Sequence, residues 1–306
     1  MKIVFFGTPY LAAGILKVLA ETEHEITAVV TQPDRARGRG KNVTFSPVKE
    51  AAREAGIYIM QPEKVSDEAF LDELESLNAD IYVVAAYAQK LPNRLLEMAP
   101  YGCINVHPSL LPKYRGAAPL MAAILNGDDV TGVTIMKMAE KMDTGDIILQ
   151  EEIQLDKKET VSSLEEKVIQ TAARMLPCAI KGLADGSIIP QPQDDSKSTY
   201  VRQISKEAGL IDFSEDAYVI ERKIRAYDPW PGTYTYAEGK TFKISDADIS
   251  DEDVQGAAPG CVTRADKKGI SIQTGKGQLI PLEVQIEGKR RMKTDEFLRG
   301  FKITEG

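Results

Sequence analysis

Asn105 and His107 stand two residues apart in Cys103-Ile104-Asn105-Val106-His107-Pro108, and His107 is one of only two histidines in 306 residues. A side-chain amide can donate a hydrogen bond to an oxyanion, and an imidazole can donate one or move a proton near neutral pH. The pair therefore suits addition to a carbonyl. Ile104 and Val106 favour a strand, which places Asn105 and His107 on one of its faces, and Pro108 ends it. Polar groups at the carboxyl end of a strand lie where open α/β sheets place their ligands. The chain offers no Gly-x-Ser-x-Gly elbow, and the only cysteine near His107 is Cys103. Such a histidine can also serve simply as a loop anchor; Asn105 and Pro108 favour a site.

A histidine that moves protons needs a carboxylate to orient it. Two candidates follow the apolar run that ends near Met138: Asp143 and Asp146, in Met142-Asp143-Thr144-Gly145-Asp146. The same stretch is also an ordinary turn between strands, so spacing alone leaves both the role and the choice open.

The elements that must position these groups alternate along the first half. Strand patterns cover Lys2–Phe6, Glu25–Thr31, Ile81–Ala85, Cys103–His107 and Gly132–Met138. Helix patterns cover Tyr10–Glu21, Pro47–Ala55, Asp67–Leu77 and Pro119–Asn126, and a longer one runs from Ser162 to Leu183. This alternation predicts a doubly wound α/β domain with a mainly parallel sheet, over residues 1–189. The polar, proline-containing segment 190–207 reads as a linker. Over 208–306 one helix pattern, Ala217–Ala226, gives way to short strand patterns at Tyr234–Ala237, Thr241–Ile244, Gly260–Arg264, Gly269–Gln273 and Leu279–Ile286. Their spacing predicts a small OB-like β-barrel. Asp246–Asp253 reads as an exposed acidic loop.

Composition narrows the function classes. No apolar run approaches the roughly 20 residues a membrane span needs, and Cys103, Cys178 and Cys261 lack metal-ligand or disulfide-framework spacing. A cytoplasmic protein without a metal is expected. Gly7-Thr8-Pro9 lacks the further glycines of a dinucleotide fingerprint, and no Gly-Lys-Ser/Thr loop occurs, so neither a dinucleotide nor ATP has a seat. The net charge of −8 disfavours nucleic acid, yet two clusters break the average: Arg35, Arg37, Arg39 and Lys41 in one loop, and Lys289, Arg290, Arg291 and Lys293 near the end. The first belongs to a long connection and could grip phosphates; each is also compatible with a plain solvated surface.

Together these motifs resemble the bacterial methionyl-tRNA formyltransferases, within the wider group that transfers formyl from 10-formyltetrahydrofolate. The likeness rests on Phe6-Gly7-Thr8-Pro9, Thr31-Gln32-Pro33-Asp34, Gly38-Arg39-Gly40-Lys41, Ser46-Pro47-Val48-Lys49, the Asn105–Pro112 stretch, Arg115-Gly116-Ala117-Ala118-Pro119 and Asp143-Thr144-Gly145-Asp146. In the second half it rests on Trp230-Pro231-Gly232, Gly288–Met292 and Phe297-Leu298-Arg299-Gly300. The resemblance implies a catalytic trio of Asn105, His107 and Asp143, with a protonated His107 donating to the oxyanion. It implies that Ser109, Leu110, Leu111 and Pro112, with Tyr87, Gln89 and Leu91 of the Ala86–Leu91 loop, line the folate site. Arg35, Arg37, Arg39, Lys41, Lys289, Arg290 and Arg291 would contact initiator methionyl-tRNA, whose methionine amine supplies the nucleophile, and the protein would act as a monomer. Ala139–Met142 departs from the family pattern. Competing readings are a relative that formylates a small amine, and an RNA-binding protein without catalysis.

Overall fold

The computed structural model describes residues 1–37 and 42–303. It contains two compact units assembled from interleaved segments. One comprises Met1–Gly116, Val130–Gln154 and Glu165–Val201; the other comprises Ala117–Asp129, Leu155–Leu164 and Arg202–Gly306.

In chain order the elements through the end of the first unit are β1 (Lys2–Gly7), α1 (Tyr10–Ala20), β2 (Glu25–Val30), β3 (Arg35–Arg37), β4 (Asn42–Thr44), α2 (Pro47–Glu54), β5 (Ile59–Met60), α3 (Glu68–Ser76), β6 (Ile81–Ala85), α4 (Asn93–Met98), β7 (Cys103–His107), β8 (Arg115–Gly116), α5 (Pro119–Asn126), β9 (Val130–Lys137), β10 (Ile147–Gln154), α6 (Val161–Asp185) and β11 (Tyr200–Val201). Of these, α5 and the start of α6 belong to the second unit. The main sheet has the order β10-β9-β7-β6-β1-β2-β5. β1 pairs in parallel with β2 and β6, β2 with β5, and β6 with β7, whereas β9 is antiparallel to both β7 and β10. Ile3, Val4, Phe5 and Phe6 are all fully buried, as a central parallel strand covered on both faces requires. The chain winds outward from β1 to β5 and then returns to β6 on the other side of β1. The carboxyl ends of β1 and β6 therefore flank the switch point, with β7 one strand further on.

Local chemistry starts the helices where the sequence predicts. The Ser46 hydroxyl accepts from the Lys49 N–H to cap α2, and the Asp67 carboxylate accepts from the Ala69 and Phe70 N–H groups to cap α3. One face of the sheet packs Val4, Phe6, Val30, Tyr82 and Val84 against Leu71, Leu74 and Leu95 of α3 and α4. β3 and β4 form an antiparallel hairpin in the connection that carries the first basic cluster. Segment 190–207 is built into the first unit as far as Val201: β11 pairs in parallel with β8, and Gln191 exchanges backbone hydrogen bonds with Ile147.

The second unit adds α7 (Ala217–Tyr227), β12 (Thr233–Ala237), β13 (Lys240–Ser250), β14 (Val262–Asp266), β15 (Gly269–Gln273), β16 (Gln278–Ile286), β17 (Met292–Lys293) and α8 (Thr294–Gly300). Its antiparallel sheet runs β12-β13-β16-β15-β14, with β17 on β16. Ile220 and Ile224 of α7 and Phe297 of α8 close its core against Phe242, Ile244, Ile272, Leu279 and Val284. The acidic stretch expected to be a loop is instead the second half of β13, through Ser250. Register shifts on either side of Asp246 keep Ala247 buried while Asp248 stays outside, so apolar spacing prevails over charge density.

Candidate active site

β7 presents Asn105 and His107 from one face, register-matched to Met136 and Thr134 of antiparallel β9. Asn105 is 9 % exposed, and its amide has no hydrogen-bond partner among the described residues. An amide left free in so enclosed a place is suited to receive a ligand oxygen. His107 is 4 % exposed. Its Nε2 lies 3.0 Å from the Tyr114 carbonyl oxygen, which can only accept, so Nε2 carries a proton. Its Nδ1 faces Asp143 Oδ1 at 3.8 Å.

Burial pushes the His107 pKa below the ordinary imidazole value, and the opposing pull of the Asp143 charge and the Tyr114 carbonyl does not restore it. With Nε2 engaged by the Tyr114 carbonyl, Nδ1 is the ring nitrogen turned toward Asp143. Desolvation prevails because the carboxylate stands beyond hydrogen-bond distance.

The β9–β10 connection brings Asp143 to the histidine. Asp143 has φ 54°, a left-handed conformation that aspartate adopts more readily than most residues. Its Oδ2 accepts from the Gly116 N–H at 2.7 Å. A β-carbon at Gly145 would overlap the Lys137 carbonyl oxygen, so only glycine lets the connection close this tightly. Asp143 is thus the aspartate of this turn whose carboxylate faces His107.

The expected folate residues divide by role. Ser109 is fully buried and its hydroxyl donates to the Lys113 carbonyl; Leu111 is 3 % exposed, and Leu110 and Pro112 are partly exposed. Thr134 holds this loop by donating to the Ser109 carbonyl and accepting from the Leu111 N–H and Gln150 Nε2. Tyr87 packs edge-on against Phe6, its buried hydroxyl has no partner among the described residues, and Leu91 lies in the same core. Gln89 accepts from the Val65 N–H. Ala86, Ala88 and Lys90 are the exposed residues of that loop, and Ala86 and Ala88 have positive φ.

Of the basic residues, Arg35 is exposed on β3, and Arg37 lies on the same strand. Arg39 and Lys41 fall outside the described residues. Lys289 is exposed, Arg290 pairs with Glu296, and Arg291 pairs with Glu283 at 2.7 Å and Asp228 at 3.0 Å. Arg291 is thus already neutralised by protein carboxylates. Sequence reasoning missed Thr134, Gln150, Tyr114 and Gln193 as parts of the site. Arg115 stood in a recognised motif, but its burial, at 1 % exposure, carried no local signal.

The chain matches two family profiles, Formyl transferase over residues 1–180 and Formyl transferase, C-terminal domain, over residues 203–302. A methionyl-tRNA formyltransferase of Lachnospira eligens is 47 % identical over all of this chain and 98 % of its own length. One from Bacillus licheniformis is 42 % identical over all of this chain and 96 % of its own. Among solved structures, HypX from Aquifex aeolicus in complex with tetrahydrofolic acid aligns with a TM-score of 0.67 at 19 % identity, covering 97 % of this chain and 47 % of that one. The sugar 3N-formyl transferase WlaRD aligns with a TM-score of 0.65 at 18 % identity, over 95 % of this chain and 99 % of that one. The family profiles and the full-length relatives make this a formyl-transferring enzyme. By full-length similarity the chain belongs to the methionyl-tRNA formyltransferase branch of the formyl transferase family.

Proposed function

We propose that this enzyme transfers the formyl group of 10-formyltetrahydrofolate to the α-amine of methionyl-initiator tRNA, with Asn105, His107 and Asp143 carrying the chemistry. The observation that supports these roles is the convergence of a free buried amide, an imidazole whose Nδ1 faces Asp143, and a fixed carboxylate. The amine lone pair attacks the formyl carbon while Asn105 donates to the developing oxyanion, an effect of roughly 3–4 kcal/mol where such donors have been removed. Nδ1 of His107 is the atom able to take the proton released by the amine. Asp143 stabilises the imidazolium that results, and the proton is returned to N10 as the carbon–N10 bond breaks. One N–C bond forms, one breaks, and the proton passes between the two nitrogens.

Among the described residues no helix is long and apolar enough to cross a membrane, and no group of three or more His, Cys, Asp or Glu side chains is arranged to hold a metal. Cytoplasmic action as a monomer completes the reading. Purified protein, labelled 10-formyltetrahydrofolate and either methionyl-tRNA or small amines such as amino sugars provide the test. Label transfer to the tRNA is expected. Transfer only to a small amine would reject this function, and tRNA binding without turnover on any formyl donor would favour a binding protein.

A further inference from the structure

Gln193 lies in the polar segment after α6, far in sequence from the trio, yet its amide reaches the Asp143 turn. Its Nε2 donates to the carbonyl oxygens of Asp143 at 2.9 Å and Gly145 at 2.7 Å. Its Oε1 accepts from Arg115 Nη2 at 2.7 Å and Nε at 3.1 Å. These partners fix which end of the amide is which: two carbonyls can only accept, and a guanidinium can only donate. Arg115 is in turn held by Asp195 Oδ1 at 2.6 Å and the Tyr200 hydroxyl at 3.0 Å. The neighbouring Gly116 supplies the N–H that grips the Asp143 carboxylate, and β8 is kept in place by its pairing with β11. One strand of two residues therefore controls Asp143 twice: through Gly116 at the carboxylate, and through Arg115 and Gln193 at the backbone.

We infer that Gln193 is a positioning residue for the formyl-transfer reaction, holding the left-handed Asp143 turn so that its carboxylate faces His107 Nδ1. The inference rests on the catalytic reading of Asp143 given above. A glutamine is required because the residue must donate twice and accept twice in one plane. Glutamate could still accept from Arg115, but it would turn an acceptor against two carbonyl oxygens.

The test is a double-mutant cycle on the full-length enzyme with Gln193→Leu, Gln193→Glu and Asp143→Asn. Because misplacing a reacting group by about 1 Å can cost on the order of 100-fold, each Gln193 variant is expected to lower kcat by about 10- to 100-fold. KM for the formyl donor should change little. The imidazole titration of His107, followed by NMR, should move to lower pH in both variants, because the carboxylate that raises its pKa is no longer held nearby. In the Asp143→Asn background neither Gln193 variant should reduce kcat further. Gln193→Glu keeps the side-chain size and the Arg115 contact, so it tests the donor role even if Gln193→Leu folds poorly. Additive losses, an unmoved His107 titration or a normal kcat in Gln193→Glu would overturn the inference while leaving the role of Asp143 intact. Normal turnover in Asp143→Asn would instead overturn the reading of Asp143, and this inference with it.

Discussion

With Nε2 committed to the Tyr114 carbonyl, Nδ1 is the atom of His107 left to gain a proton. Burial lowers the folded pKa below the reference value of 6.5, so the neutral form persists to lower pH than in a free imidazole. The neutral form is therefore lost only as pH falls through that lowered value. The chain has just two histidines, so NMR can follow each imidazole, with His24→Gln providing the assignment. A His107 midpoint below 6.5 is expected, moving lower still in Asp143→Asn, which removes the charge that raises it. A midpoint above 6.5 would restore the imidazolium and assign His107 to proton donation. Asn105→Ala should lower kcat by roughly 100- to 1,000-fold with little change in KM, since an oxyanion donor acts mainly on the transition state. A matching rise in KM at constant kcat would make Asn105 a ground-state contact only.

Strands and loops set the distances among these residues, and Thr134 on β9 shows how. Its hydroxyl joins the Ser109 carbonyl, the Leu111 N–H and Gln150 Nε2, so Thr134→Val removes the partner of the Ser109 carbonyl and the Leu111 N–H, while Gln150 Nε2 keeps its bond to the Leu111 carbonyl. A loss of about 1–3 kcal/mol in unfolding free energy is expected. A raised KM for the formyl donor should accompany it, because the Ser109–Pro112 loop loosens; denaturant melts and initial-rate kinetics would check both, and unchanged stability would remove Thr134 from that role. β7 was legible to the residue because β-formers alternate with its polar pair and proline ends it. β10 was not, since Gln150, Glu151 and Glu152 interrupt its apolar run, and the ladder with β9 is a long-range fact. Spacing could not separate Asp143 from Asp146; a backbone N–H on a different strand does so. Gln193 was hidden for the same reason, in a stretch with no periodicity to mark it.

Across the whole molecule the surface charge is acidic, so tRNA must be met by local exceptions. Lys289 is exposed at the turn between β16 and β17, whereas Arg291 is engaged with Glu283 and Asp228. Lys289→Ala is therefore expected to weaken methionyl-tRNA binding and reduce the slope of log affinity against log salt by about 0.9 if it meets one phosphate. Folate affinity should not change. An unaltered slope would exclude Lys289 from the contact. The two basic clusters were visible in the sequence as charge runs, but which of their charges are already neutralised depended on carboxylates up to 63 positions away.

The interleaving of the units bears on how such a protein can be rearranged in evolution. Ala117–Asp129 and Leu155–Leu164 come from the middle of the chain yet join the unit that ends at the carboxyl terminus. α5 packs on α7, and Lys158 meets Glu221 and Asp248. A gene truncated after α6 would strand both segments with their apolar or charged partners gone, and would lack Gln193 and β11 as well. The carboxyl-terminal unit is consequently not a cassette that recombination can add or remove in one step: any exchange must also rewrite two stretches inside the catalytic half.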